Sequence, residues 1–379
     1  MATHYDVIVL GGGTMGSAAA WELGKHGSKA LVIERFGHVH DRGAHGGQTR
    51  IYRQAYAESP DYVPLVRRAG DLWRELEAET GQEIYVQCGG LELSSPGGEH
   101  ARAARQSAED HGIPFEWLSP ADARAHWPQI AIPDGWDVLF SPEAGFVLTE
   151  PALRGMMAGA TKRGVELRDG EQALGWEADG DGVRVRTDKG EYTADRLIVS
   201  AGAWAGRALS DLGLPLTVLR KTLWWFTAND PAAFAPDRFP VFIADEGEVS
   251  IYGFPVIDAN GLKAAEHTGG EPFDPEHPDR TTRPNEGALV QETVARLFPG
   301  VGAQVTQSAV CLYTLTPDEH FVMDRHPEHA NVVIAAGFSG HGFKFAPAAG
   351  EHLVSLALDP ANRPIPILAI DRLLSGARA

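Results

Sequence analysis

The sequence predicts a mixed α/β fold made of two domains that interleave along the chain. Three observations predict it. Residues 5–34 read as strand, glycine turn, helix and strand in direct succession. Strand and helix signals of the same kind return near 150–205 and 320–360. Between them lie strand-like runs dense in aromatic residues, most clearly over 217–257. One domain assembled from separated segments, with a second built from the intervening pieces, accounts for that order.

The elements follow in turn. An apolar burst, Asp6–Leu10, runs straight into glycines and reads as the first strand. Apolar residues at three- and four-residue spacing predict an amphipathic helix over 60–80. Segments 100–111 and 150–164 also read as helices. Residues 182–202 read as an alternating strand, a turn at Asp188-Lys189-Gly190, a second strand and then a third, apolar one. Asp179–Gly182 reads as a hairpin turn, since a calcium loop needs more oxygen ligands at regular spacing. Residues 329–336 form a last buried strand and 345–358 a closing helix. There is no internal repeat and no low-complexity tract.

Composition narrows the function classes. With 43% hydrophobic residues in 379, the chain can bury a sizeable core. Acidic residues number 51 against 33 basic, a formal charge of −18, which disfavours nucleic acid and anionic membranes as partners. Two cysteines, Cys88 and Cys311, cannot build a disulfide scaffold, and a reducing cytoplasm fits. No apolar run approaches the ~18 residues of a membrane span. The N-terminus reads as a strand rather than a signal peptide, and the C-terminal LLSGARA carries no organelle address.

Gly11, Gly13 and Gly16 form G-x-G-x-x-G directly after a strand and before a helix. Gly11 allows the tight turn, Gly13 lets a pyrophosphate approach the backbone, and Gly16 lets the helix pack on the sheet. Thr14 and Met15 open that helix, whose N-terminus faces the phosphates. Glu34 closes the next strand, where its carboxylate accepts from a ribose 2′-OH and repels a 2′-phosphate; Arg35 follows it. The element alone leaves NAD and FAD open and disfavours NADP. The longer pattern Gly16, Ala20, Leu23, Gly27 and Glu34 resembles the extended signature of FAD-dependent oxidoreductases. Ala201-Gly202-Ala203-Trp204 and the late Ala336-Gly337 are FAD-type features by the same resemblance.

Four further motifs converge: Thr49-Arg50-Ile51-Tyr52-Arg53; Gly261-Leu262-Lys263 with His267; Cys311-Leu312-Tyr313-Thr314 running into Thr316-Pro317-Asp318-Glu319; and the stretch from Gly337 to Phe345. Together they resemble the monomeric sarcosine oxidase and N-methyltryptophan oxidase family over nearly the whole chain. The resemblance implies a Rossmann-like FAD-binding domain plus a substrate domain with an antiparallel β-sheet. The flavin domain is expected over 1–83, 148–216 and 319–379, the substrate domain over 84–147 and 217–318. It also implies a monomer that oxidises secondary amino acids with covalently held FAD. Hydride leaves the carbon next to nitrogen, the imine hydrolyses to an aldehyde, and O2 becomes H2O2.

Residue by residue, the resemblance makes Cys311 the flavin attachment site through a thioether. Arg53 and Lys344 are expected at the substrate carboxylate, where two cations from distant segments can fix an anion. Lys263 is expected to stabilise superoxide as it forms during oxygen activation. Arg50, Thr49 and His45 belong to the flavin-contact loop. Tyr252, His267 and Tyr313 are expected to line the substrate cavity, with His267 helping to hold the amine neutral. Gly337, Gly340, His341 and Gly342, beside Lys344, are expected at the flavin edge, next to the closing helix.

Departures from the family pattern sit at the same places. The flavin loop reads Gly43-Ala44-His45-Gly46-Gly47-Gln48, where the family has Ser-His-His-Gly-Asp before Thr-Arg. His45 is retained, while Gly46 and Gln48 replace a histidine and an aspartate. Residues between 220 and 260 also diverge, Lys221–Thr227 among them, which leaves the substrate open: a cyclic imino acid such as pipecolate, a D-amino acid, glycine, or a glycated amino acid fits the same chemistry. His38, His40, Asp41 and His45 lack further ligands in a regular pattern, so no metal site is expected. An NAD-dependent dehydrogenase would leave the last two motifs unexplained; a flavoprotein without turnover would be yellow and give no peroxide from any amine.

Overall fold

The computed structural model describes residues 3–374. Residues 375–379, most of the C-terminal segment read for an address, lie outside the described residues. Two large sheets and one small one organise the described residues.

The first sheet has eight strands with Thr3–Leu10 at its centre. Ala30–Ile33 and then Glu166–Arg168 extend it in parallel on one side. Glu191–Val199 pairs in parallel on the other. That strand corrects the expectation of two separate strands after the Asp188-Lys189-Gly190 turn. It is continuous because its outer edge is shared: the first half pairs with the hairpin strand Gly182–Thr187, the second half with Val332–Ala336. No free length remains at which a break would relieve anything. Asp179 and Gly182 close a two-residue hairpin, as their turn residues demand. Its outer strand, Ala173–Asp179, escaped the sequence reading because it is mostly exposed and carries no buried alternation. The helices Thr14–Lys25, Val63–Thr80, Thr149–Lys162 and Ala346–Leu358 contribute to one apolar core on this sheet, including Trp21, Trp73, Leu153 and Leu353. The last of these does not close the chain; a short helix, Asp371–Leu374, follows it.

The second sheet has nine strands drawn from Gly90–Ser94, Glu116–Leu118, Asp137–Ser141 and six strands between Thr217 and Leu315. All its pairings are antiparallel except Gly90–Ser94 with Val241–Asp245. Period-two alternation gives it two unlike faces. Leu91, Leu93, Phe242, Ala244, Ile251, Leu262, Ala264, Trp224 and Phe226 point into an apolar core with the helix Ala288–Leu297. The opposite face carries Leu223, Trp225, Ala265, Cys311 and Tyr252.

A small sheet of Thr49–Tyr52, Gly145–Leu148 and Tyr85–Val86 joins the two parts. It straddles the expected boundaries at 83/84 and 147/148. Among the described residues no helix is long and apolar enough to cross a membrane.

Candidate active site

A cavity of about 750 Å³ opens at the carboxyl ends of Thr3–Leu10, Ala30–Ile33 and Glu191–Val199, where an open α/β sheet receives its ligand. The glycine turn forms its floor. Gly11 has φ +96°, and a Cβ there would lie 2.5 Å from the Ser200 carbonyl oxygen. A Cβ on Gly16 would lie 1.8 Å from the Gly11 carbonyl oxygen, so the helix can start here only without one. A Cβ on Gly13 would meet nothing nearer than His45 Nδ1 at 3.9 Å, because Gly13 faces the cavity. Thr14 and Met15 line it too, while Gly16 lies beneath.

Glu34 stands at the end of its strand, buried and fixed. Its Oε2 accepts from the Gly12 amide and its Oε1 from the Phe36 amide, both at 2.8 Å. Burial by itself would raise its pKa; hydrogen bonds from His40, Phe36 and Gly12 outweigh that and hold it below the usual range. Arg35 lines the cavity and pairs with Glu276 at 3.1 Å. Ala201, Gly202 and Trp204 form a further wall, and Gly337, Gly340 and Gly342 another. The side chain of His341 faces away: its Nδ1 meets the Tyr56 hydroxyl at 2.5 Å and its Nε2 the Glu319 carbonyl at 3.1 Å.

These residues suit a dinucleotide flavin. A Cβ-free cradle, a fixed carboxylate and a helix N-terminus meet at one end. Among the described residues, two buried cavity-lining groups, Trp204 Nε1 and His45 Nε2, have no hydrogen-bond partner. Burial pushes His45 down to about 3, so it is a neutral imidazole at physiological pH.

Behind the cavity lies a second, buried layer on the sheet face opposite the apolar core. Arg50 and Tyr313 line the cavity and connect the two. Arg50 donates to the Thr49 and Gly46 carbonyls at 2.7 Å and lies 3.3 Å from Cys311 Sγ. Cys311 is buried, directly across the strand pair from Lys221. Lys263 is buried, with Nζ donating to the Gly47 carbonyl and, at 3.0 Å, to both the carbonyl and hydroxyl oxygens of Thr49. Desolvation and the nearby Arg50 push it well below its usual value. His267 Nδ1 is 3.4 Å from the Tyr313 hydroxyl, and its ring is 6.3 Å from that of Tyr252. Burial lowers His267 to about 4.

Arg53 and Lys344 meet around Tyr56, at 4.6 and 5.1 Å from its ring centre. Arg53 donates to both carboxylate oxygens of Glu58 at 2.7 Å. Burial opposes the charge on each partner, but the pair prevails: Arg53 is raised and Glu58 held well below its usual value. Lys344 Nζ donates to the His341 carbonyl at 2.8 Å.

Tyr56 and Glu58 were not singled out from sequence, although Glu58 lies only five residues after Arg53. Gln48 reaches across to the large sheet, accepting from Trp225 Nε1 at 3.0 Å and donating to Asp258 at 2.8 Å.

Residues 6–356 match the FAD dependent oxidoreductase family. The monomeric sarcosine oxidase of Bacillus sp. (strain B-0618) is 39% identical over 98% of this chain and 97% of its own. The N-methyl-L-tryptophan oxidase of Yersinia pestis (strain Pestoides F) is 34% identical over 96% of both chains. Among solved structures, the open form of NikD, an unusual amino acid oxidase essential for nikkomycin biosynthesis, superposes with a TM-score of 0.85 at 23% identity, covering 97% of both chains.

Proposed function

The chain belongs to the FAD dependent oxidoreductase family, and from that premise we propose that it oxidises secondary amino acids of the sarcosine or N-methyl-L-tryptophan type. The products are an aldehyde and H2O2, with O2 as acceptor. The observation that carries the reading is the pairing of two layers. A flavin-sized cradle abuts a buried cluster of polar groups: Arg53 and Lys344 around Tyr56, and His267 with Tyr252 and Tyr313.

Gly11, Gly13, Glu34, Trp204, His45 and Arg50 would hold the FAD, with Cys311 as its covalent anchor. When bound, the flavin supplies the two-electron acceptor that passes electrons to O2. Lys344 and Arg53 bind the substrate carboxylate, and that charge in turn favours the protonated form of Lys344. His267, lowered by burial to about 4, places no positive charge beside the amine and accepts a hydrogen bond from its N–H. Lys263, held by the Gly47 and Thr49 oxygens, presents a cation-forming group beside the flavin loop. Residues 1–83, 148–216 and 319–379 make the flavin domain and the rest the substrate domain. The enzyme acts as a monomer in the cytoplasm, a compartment that fits its two unpaired cysteines.

Anaerobic bleaching of the flavin band tests the reaction. Sarcosine or another N-methyl amino acid is expected to bleach it rapidly; no bleaching by any secondary amine would overturn the assignment. Acid precipitation tests the anchor. Flavin that stays with the pellet, and is lost to the supernatant in Cys311→Ser, is the expected result.

A further inference from the structure

Glu92 is a buried acid that the reaction above does not use. Strand alternation sends its neighbours Leu91 and Leu93 into the apolar core, so Glu92 points to the opposite face. Cross-strand register fixes what shares that face. Glu92 pairs with Ile243, Ile243 with Tyr252, and Tyr252 with Ala265. Directly paired residues lie on one face. Glu92 therefore lies in the row of Tyr252, and on the face that carries Lys263 and His267 two residues either side of Ala265.

Glu92 is 2% exposed. His100 Nε2 is 2.7 Å from its Oε2, but poorly aligned, and among the described residues neither oxygen has an in-line donor. A buried carboxylate can accept about four hydrogen bonds, and leaving them unmade is unfavourable. Its charge reaches the carboxylate-binding cations, raising the proton affinity of both Arg53 and Lys344. Those groups already have work: Arg53 pairs with Glu58 and, with Lys344, meets the substrate carboxylate. That leaves Glu92 with His100 alone.

Distance decides which part of a substrate Glu92 can meet. Strands lie roughly 4.8 Å apart, so Glu92 is about 10 Å from Tyr252 along the sheet and about 14 Å from the strand of Lys263 and His267. The reacting amine belongs near those residues, beyond the reach of Glu92. A group farther out on the substrate is not. Sarcosine has no such group.

We propose that Glu92, backed by His100, recognises a cationic group carried on the substrate beyond its reacting amine. The substrate class is an N-alkyl amino acid with a basic side chain. This rests on the amine-oxidase reading above and narrows it.

The test uses flavin-loaded holoenzyme and compares Nα-methyl-L-lysine with N-methyl-L-norleucine, which has the same side-chain carbons without the ammonium. Wild type is expected to favour the lysine compound by about tenfold or more in kcat/KM, mostly through KM. Glu92→Gln is expected to erase that ratio, and Glu92→Asp, one methylene shorter, to reduce it. Equal rates in wild type, or a preference for norleucine, overturn the proposal while leaving the oxidase reading intact. A preference that survives Glu92→Gln and Glu92→Asp removes Glu92 from the role. If neither compound nor sarcosine bleaches the flavin, the oxidase reading falls and takes this one with it.

Discussion

Burial pushes the Lys344 ammonium down to about 7, with Arg53 adding to the effect and Glu58 and Glu92 opposing it. Its charge is therefore fully present only below neutrality, and an anion binds the charged form. A simple carboxylate such as propionate, which has no amine to titrate, is expected to inhibit more weakly as pH rises above 7. The inhibition constant should increase by up to tenfold per pH unit. Lys344→Met is expected to bind propionate more weakly and to flatten that slope; a wild-type slope of zero between pH 6.5 and 8.5 would contradict the assignment. At this scale the sequence singled out residue types inside dense motifs, such as Cys311 and Lys344, both of which the structure buries. It was not legible at Glu58, Glu92 or Tyr56. Those residues matter through partners that only folding brings near, and nothing in their flanking residues marks them.

The first strand–turn–helix unit was legible throughout, because each step is dictated locally. The apolar run makes the strand, Gly11 alone takes φ +96° without strain, and Gly16 meets the Gly11 carbonyl. The three glycines nevertheless do different work. Gly16→Ala is expected to damage the fold, lowering Tm by several degrees, since backbone must move to admit the new methyl. Gly13→Ala adds its methyl toward the cavity. It is expected to leave Tm of the flavin-free protein near wild type while lowering the flavin-to-protein absorbance ratio. Equal loss of Tm in both variants would mean that Gly13 is structural. Strands were less legible than this unit. Ala173–Asp179 has too little burial to show alternation, and Glu191–Val199 owes its continuity to two different partners along one edge.

Across the whole molecule, His45, His267 and His341 are held neutral in the interior, at about 3, 4 and 3. In the unfolded chain each titrates near 6.5. Between those values the unfolded chain binds protons that the folded chain refuses, so stability falls as pH drops through the window. Each histidine contributes at most about 1.4 kcal/mol per pH unit there. The urea midpoint is expected to be clearly lower at pH 5 than at pH 7, and an unchanged midpoint would count against the buried neutral state. The same interior explains how far sequence alone reaches. It determined the glycine turn at the cavity and the interleaved order of the strands in the two large sheets, because turns, alternation and motif residues act over a few positions. Only the tertiary structure decided that Arg53 lies against Glu58, that His341 turns from the cavity, and that Glu92 joins the row of Tyr252. The last is a matter of sheet register between strands far apart in the chain, set by the packing of both faces at once; the first two depend on how loops fold, Arg53 and Glu58 lying in the loop after Thr49–Tyr52 and His341 in the turn before Ala346–Leu358.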